Sequence, residues 1–146
     1  MTPHQRAIVV EARSWVGTPF HHQSSIKHVG ADCLGVLRGV WRSIHGQEPC
    51  VIPSYAATWD EVSKTETLWR HLGRILCPIP LNSACSGDVV LFRMREGAVA
   101  KHIGILSQTH VSFIHAYGGH GVVESNLTLS WQRRIVASFR IPKGES

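Results

Sequence analysis

The sequence predicts an α+β domain in which N-terminal helices pack on a C-terminal antiparallel β-sheet. Three observations carry this. The first half holds stretches of helical spacing bounded by capping residues. The second half holds five short runs rich in β-branched and aromatic residues, separated by turn residues. The length, 146 residues, suits a single domain spanning 1–146 around one hydrophobic core.

The first helix starts at Thr2-Pro3-His4-Gln5, with Thr2 as cap, Pro3 at the first helical position and Gln5 closing a capping box. Ile8, Ala12 and Trp15 then share one face, and Gly17 is placed to stop the helix. Asp32 is a good cap for the next helix. Cys33, Val36, Leu37, Val40, Trp41 and Ile44 recur there at helical spacing up to Gly46. Gly35 and Gly39 lie one turn apart within it, each costing roughly 1 kcal/mol against alanine, which predicts close packing against another element. Residues 50–57 read as a proline-containing loop, and Thr58-Trp59-Asp60-Glu61 as a second capping box. Leu68, Trp69 and Leu72 predict a short helix, broken by Pro78 and Pro80. The predicted strands are 89–92, 102–106, 111–117, 121–124 and 135–141, the first fed by the turn Ser86-Gly87-Asp88.

Lysine and arginine number 15 against 10 acidic residues, with arginines paired at Arg38 and Arg42, Arg93 and Arg95, and Arg133 and Arg134. This suits either an anionic partner or a solvated basic surface. No basic run interleaved with aromatics and no nucleic-acid module is present, so nucleic acid is not the expected partner. The apolar runs are strand-sized, which excludes membrane insertion through an apolar helix. The start Met1-Thr2-Pro3-His4-Gln5-Arg6 does not read as a secretory signal, and synthesis in the cytoplasm without one is the expectation. The four cysteines, Cys33, Cys50, Cys77 and Cys85, show no CxxC spacing, which argues against a zinc ribbon and a redox dithiol. Neither a metal nor an organic cofactor is expected.

Cys33 is the nucleophile candidate. The unpaired N–H groups and positive dipole end of its helix favour an anion, so the thiol pKa is expected to fall. The same N–H groups could hold an oxyanion. The other reading of Cys33 is a small buried hydrophobe on the apolar face. His102 and His115 lie on consecutive predicted strands. If Leu106 and Val111 close the hairpin, His102 falls opposite His115 and Gly104 opposite Phe113. Both imidazoles then share a face as base and orienting partner, with Gly104 leaving room above the sheet for the helix end or a substrate.

Five stretches, in order, resemble the motifs of the NlpC-type cell-wall peptidases: Gly17-Thr18-Pro19-Phe20, Asp32-Cys33-Leu34-Gly35, Gly87-Asp88-Val89-Val90-Leu91-Phe92, His102-Ile103-Gly104-Ile105 and Phe113-Ile114-His115-Ala116. The resemblance runs from about residue 6 to 142, and residues 34–41 and 123–142 look most like the branch found in phages and phage-like gene transfer particles. It implies a papain-like fold and a cysteine endopeptidase acting on peptidoglycan stem peptides, often between D-γ-glutamate and diaminopimelate. By position, Cys33 matches the nucleophile, His102 the general base and acid, and His115 the polar group that orients His102. Phe20 stands where the family often has tyrosine, so a hydroxyl near the oxyanion site is missing. Asp32 matches the residue before the cysteine, as a helix cap with substrate contact open. The implied partners are bacterial peptidoglycan and phage-like tail proteins, and the implied location is a virion or phage-like particle acting at the wall. Two other functions remain open: a non-catalytic tail-tip component on this fold, and a cysteine amidase or acyltransferase on a different amide.

Overall fold

A computed structural model describes residues 1–49 and 65–144. Helix α1 (Pro3–Ser14) begins with the full capping box, Thr2 accepting from the Gln5 N–H and the Gln5 side chain accepting from the Thr2 N–H at 2.7 Å. Ile8, Ala12 and Trp15 face inward and are buried. Helix α2 (Cys33–His45) is capped by Asp32, and Gly46 ends it at φ 81°. Its two interior glycines explain themselves. A Cβ on Gly39 would lie 2.0 Å from Trp15 Cζ2, and one on Gly35 would lie 1.9 Å from the Ser24 carbonyl oxygen. The helices interlock at a spacing that alanine would forbid, which offsets the glycines' conformational cost.

Two-residue strands β1 (Ser25–Ile26) and β2 (Gly30–Ala31) form a small hairpin before α2, and α3 (Thr67–Ile75) follows the longer segment after it. The main sheet contains β3 (Cys77–Ile79), β4 (Val89–Phe92), β5 (His102–Gln108), β6 (Ser112–Tyr117), β7 (Gly121–Asn126) and β8 (Ile135–Arg140). Its order is β3-β8-β4-β5-β6-β7, antiparallel throughout. One turn of helix, α4 (Leu129–Gln132), precedes β8. The predicted class is therefore the observed one. β3 and α4 were not predicted, and Pro78 is tolerated because β3 is an edge strand. The expectations for residues 50–57 and 58–61 lie outside the described residues.

The sheet has two unlike faces. Val89, Leu91, Ile103, Ile105, Ile114 and Ala116 pack under the helices with Ile8, Val36, Leu37 and Val40. Val90, Phe92, Leu106 and Phe113 form a second, smaller cluster on the opposite face, closed by Leu127 and Trp131.

The β5–β6 register differs from the predicted one. Ile105 pairs with Ile114 and Leu106 with Phe113, and a bulge at Ser107 leads to Gln108 opposite Ser112. The hairpin closes later because His110 adopts a left-handed conformation, φ 62°, and Val111 lies exposed in the loop. The slip from the expected register is two residues. Side chains alternate with period two, so every residue keeps its predicted face while changing its partner.

Candidate active site

Residues 17–21 run beside the start of α2. The Ala31 N–H donates to the Pro19 carbonyl at 3.0 Å, and the His21 N–H to the Ala31 carbonyl at 3.1 Å. Phe20, 40% exposed, is bridged to Ala31 here. Asp32 is buried. One carboxylate oxygen accepts from the Gly35 N–H at 2.7 Å and the other from the Gln23 N–H at 2.7 Å. Both oxygens thus organise the chain around the helix start, which makes the cap its observed role.

Cys33 is the first residue of α2 and packs against the helix-side core. Its thiol donates to the Lys101 carbonyl at 3.7 Å. The sulfur therefore lies against the backbone that carries His102. The expected fall in its pKa is not found. Desolvation, followed by the adjacent negative Asp32, pushes the thiol up to about 12. The N–H groups of Cys33 and Leu34 at the helix start, and of Ile103 on β5, pull the other way and are outweighed. A helix terminus is a partial charge, whereas burial acts on the whole thiolate.

His102 opens β5 on the face opposite the main helices, where it pairs with Phe92 across β4. His115 shares that face. His102 Nε2 lies 2.7 Å from His115 Nδ1, the rings meeting edge-on at 80°. The predicted association of the imidazoles is observed, but diagonally across the strands, because of the two-residue slip. The predicted space above Gly104 is not open. A Cβ there would meet Phe113 Cδ2 at 2.7 Å and Phe92 Cε2 at 3.2 Å, so aromatic rings fill it.

Burial lowers the His102 pKa to about 4. It lowers His115 to about 3, helped by repulsion from His102 and His120. Both rings are neutral at neutral pH, and a neutral imidazole can accept a proton. His102 Nε2 is engaged by His115, which leaves Nδ1 as the nitrogen for a thiol proton. That assignment places the His102 proton on Nε2, so His115 accepts at Nδ1 and carries its own proton on Nε2. His115 Nε2 lies 2.8 Å from Ser125 Oγ, which then accepts. Ser125, on β7, was missed from sequence.

Two aromatic residues were also missed. Trp131 lies with its ring centroid 5.8 Å from that of His102 and 5.2 Å from that of His115. Tyr117 lies 6.2 Å and 5.5 Å from the same rings. Tyr117 was legible, since 113, 115 and 117 alternate onto one face. Trp131 depends on α4, whose cap Thr128 has no acidic or amide residue three positions on.

The arrangement offers a thiol at a helix start, a neutral base on the neighbouring strand, and a hydrogen-bonded chain behind that base. The chain matches the NlpC/P60 family over residues 17–140. The chain belongs to the NlpC/P60 family. Several solved structures share the fold. The NlpC/p60 domain of the peptidoglycan hydrolase SagA has a TM-score of 0.66 at 20% identity, with 94% of this chain and 98% of that one covered. A lipoprotein-like NLP/P60 protein from Staphylococcus aureus gives 0.64 at 19% identity, covering 97% of this chain and 42% of that one. An NlpC/P60 protein from Bacillus cereus gives 0.66 at 16%, covering 96% and 41%. The chain thus spans about two fifths of the staphylococcal and Bacillus proteins. Against curated protein sequences it has no match. The papain-like arrangement of helices on an antiparallel sheet is that of the NlpC/P60 domain.

Proposed function

We propose that this NlpC/P60 protein is a cysteine peptidase that hydrolyses amide bonds in peptidoglycan stem peptides, of the D-γ-glutamyl-diaminopimelate type. The observation that carries the reading is the 2.7 Å His102–His115 pair across β5 and β6, with the Cys33 thiol on the carbonyl of Lys101, the residue before His102. The family and a similar domain named as part of a peptidoglycan hydrolase support it.

The free enzyme holds a neutral thiol and a neutral imidazole. Proton transfer to His102 Nδ1 therefore accompanies attack of Cys33 Sγ on the scissile carbonyl, rather than preceding it. The N–H groups at the start of α2 hold the resulting oxyanion. With Phe20 in place of a tyrosine, no phenolic hydroxyl from that position assists. His102 gives its proton to the leaving amine, releasing the first product and leaving the thioester. It then takes a proton from the water that attacks the thioester and returns that proton to the departing Cys33 sulfur, releasing the acid product and regenerating the thiol. His115, held by Ser125, keeps His102 in the required tautomer. Asp32 fixes the helix start. No step calls for a metal or an organic cofactor.

Digestion of defined muropeptides by wild type and Cys33→Ala side by side tests this, with products read by mass spectrometry. Cleavage by wild type alone is expected, and equal cleavage by both proteins overturns it. Products from an amide elsewhere in the wall, or an acyl-transfer product, would move the reading to an amidase or acyltransferase.

Delivery in a phage-like particle, with tail proteins as partners, is part of the same proposal and rests on the motif resemblance of residues 34–41 and 123–142. Recovery of the chain from purified particles would support it, and its absence from them would remove it. One observation favours a non-catalytic role on the same fold, namely the raised thiol donating to a carbonyl rather than to an imidazole. The muropeptide digestion separates the two readings.

A further inference from the structure

Strand β4 ends at Phe92 and β5 begins at His102, and these two residues form the last cross-strand pair. Lys101, whose carbonyl receives the Cys33 thiol, therefore lies one residue beyond the ladder. Residues 93–101 join the strands, and residues 95–97 are exposed. Pairing within the sheet does not by itself fix where such a connection presents its last carbonyl.

The fixing comes from outside the sheet. Glu66 stands at the N-cap of α3, a helix anchored in the core by Leu68 and Leu72. A side chain at that position ordinarily accepts from the first N–H groups of its own helix. Glu66 makes no such bond. One of its carboxylate oxygens accepts from the Ala100 N–H at 2.7 Å, and the other pairs with the Arg93 guanidinium at 2.8 Å. Arg93 also donates to the Ala98 carbonyl. Both ends of the connection are thus tied to one carboxylate, the first at Arg93 and the last at Ala100. With side chains 29% and 27% exposed, the ion pair alone contributes little. The bond to the Ala100 N–H is charge-assisted and is the stronger hold on the backbone.

We propose that Glu66 is a positioning residue of the active site: through Ala100 it fixes the backbone that presents the Lys101 carbonyl and His102 to the Cys33 sulfur. Arg93 holds the carboxylate in the orientation this requires. The proposal rests on the peptidase reading and adds to it a residue from the helical half of the chain. A base displaced by about an ångström can cost on the order of a hundredfold in rate, so a bond two residues before His102 bears directly on turnover.

The test compares wild type, Glu66→Ala and Glu66→Gln in muropeptide digestion, below the melting temperature of each protein. Glu66→Ala should lower kcat about tenfold to a hundredfold, with KM within about twofold. Glu66→Gln keeps a side-chain carbonyl for the Ala100 N–H and should stay within about threefold of wild type. Iodoacetamide labelling of the same proteins, resolved by peptide mass, gives a readout independent of turnover. Burial keeps the Cys33 and Cys85 thiols protonated. Loosening the backbone against Cys33 in Glu66→Ala should speed its labelling about threefold or more relative to Cys85. A general loss of stability would speed both cysteines alike, and that result overturns the proposal. So does a kcat unchanged in Glu66→Ala, or one equally low in Glu66→Ala and Glu66→Gln. If wild type cleaves no muropeptide, the peptidase reading fails instead, and the ratio of Cys33 to Cys85 labelling alone decides the role of Glu66.

Discussion

Two cysteines of this protein stand beside aspartates, and only one touches the backbone next to a histidine. Cys33 follows Asp32 at a helix start, and Cys85 precedes Asp88 in a turn. Both thiols are raised above the ordinary value, and for both the causes are first burial and then the neighbouring carboxylate. Around Cys85 the rest is architecture. Asp88 accepts from Arg140 at 2.9 and 3.0 Å and from the Cys85 N–H at 2.9 Å, and Gln5 Nε2 donates to the sulfur at 3.1 Å. Around Cys33 the neighbouring backbone carries His102, itself backed by His115. The direction of the thiol shift does not distinguish the two sites, but the histidine that follows the carbonyl touched by Cys33 does.

The largest test of this contrast removes each sulfur. Cys33→Ala is expected to lower muropeptide turnover by at least about a thousandfold, since the nucleophile has no substitute. Cys85→Ala should leave turnover within about twofold and lower thermal stability slightly through lost turn contacts. Equal losses in both variants would mean that the sulfurs matter only for packing. Next in size is the base. His102→Ala should cost about a hundredfold to ten-thousandfold in kcat, the usual range for general acid–base catalysis, with the circular dichroism spectrum preserved.

The site was legible where its causes are local. A capping aspartate, an apolar stripe at helical spacing and a glycine stop are read from neighbouring residues, and they place Cys33 on the first turn of α2. The shared face of His102 and His115 followed from alternation, which survives a two-residue slip. Their diagonal contact did not, because it depends on the left-handed His110 and the bulge at Ser107. Trp131 and Ser125 were illegible for a longer-range reason, since they reach the imidazoles only after α4 folds back and β7 pairs with β6. The sequence offered both a helix start and burial for Cys33, and desolvation is the larger of the two in the folded chain.

The imidazoles also set a pH response that separates their region from the Cys85 turn. With the His102 pKa near 4, its neutral form persists well below the ordinary histidine value. The acid limb of kcat/KM should therefore fall near pH 4 to 5 and not near 6.5. Stability has the opposite bias. Between 6.5 and about 4 for His102, or about 3 for His115, the unfolded chain binds protons that the folded chain refuses. Stability is thus complete above 6.5 and declines as pH falls through that window, by a total on the order of a few kcal/mol. Replacing His115 with Gln should flatten the decline in a melting-temperature profile, while Cys85→Ala should leave its shape alone. An unchanged decline in His115→Gln would show that the ring titrates alike in the folded and unfolded chains.

The smallest expected effect lies farthest from the sulfur. Ser125 Oγ accepts from His115 Nε2 only in the tautomer that lets His115 accept from His102. Ser125→Ala removes that preference without touching the thiol or the base, and should lower kcat about threefold to tenfold, the scale of one hydrogen bond, with KM unchanged. Ser125→Thr keeps an acceptor at nearly the same place and should recover most of the loss. If the residue served only to pack β7 on β6, Thr and Ala would differ in melting temperature and not in kcat. A tautomer role also predicts that Ser125→Ala has no further effect once His115 is Gln, because the ring that links Ser125 to His102 is gone. Independent losses in that double variant would break the chain from Ser125 to Cys33 at its last link.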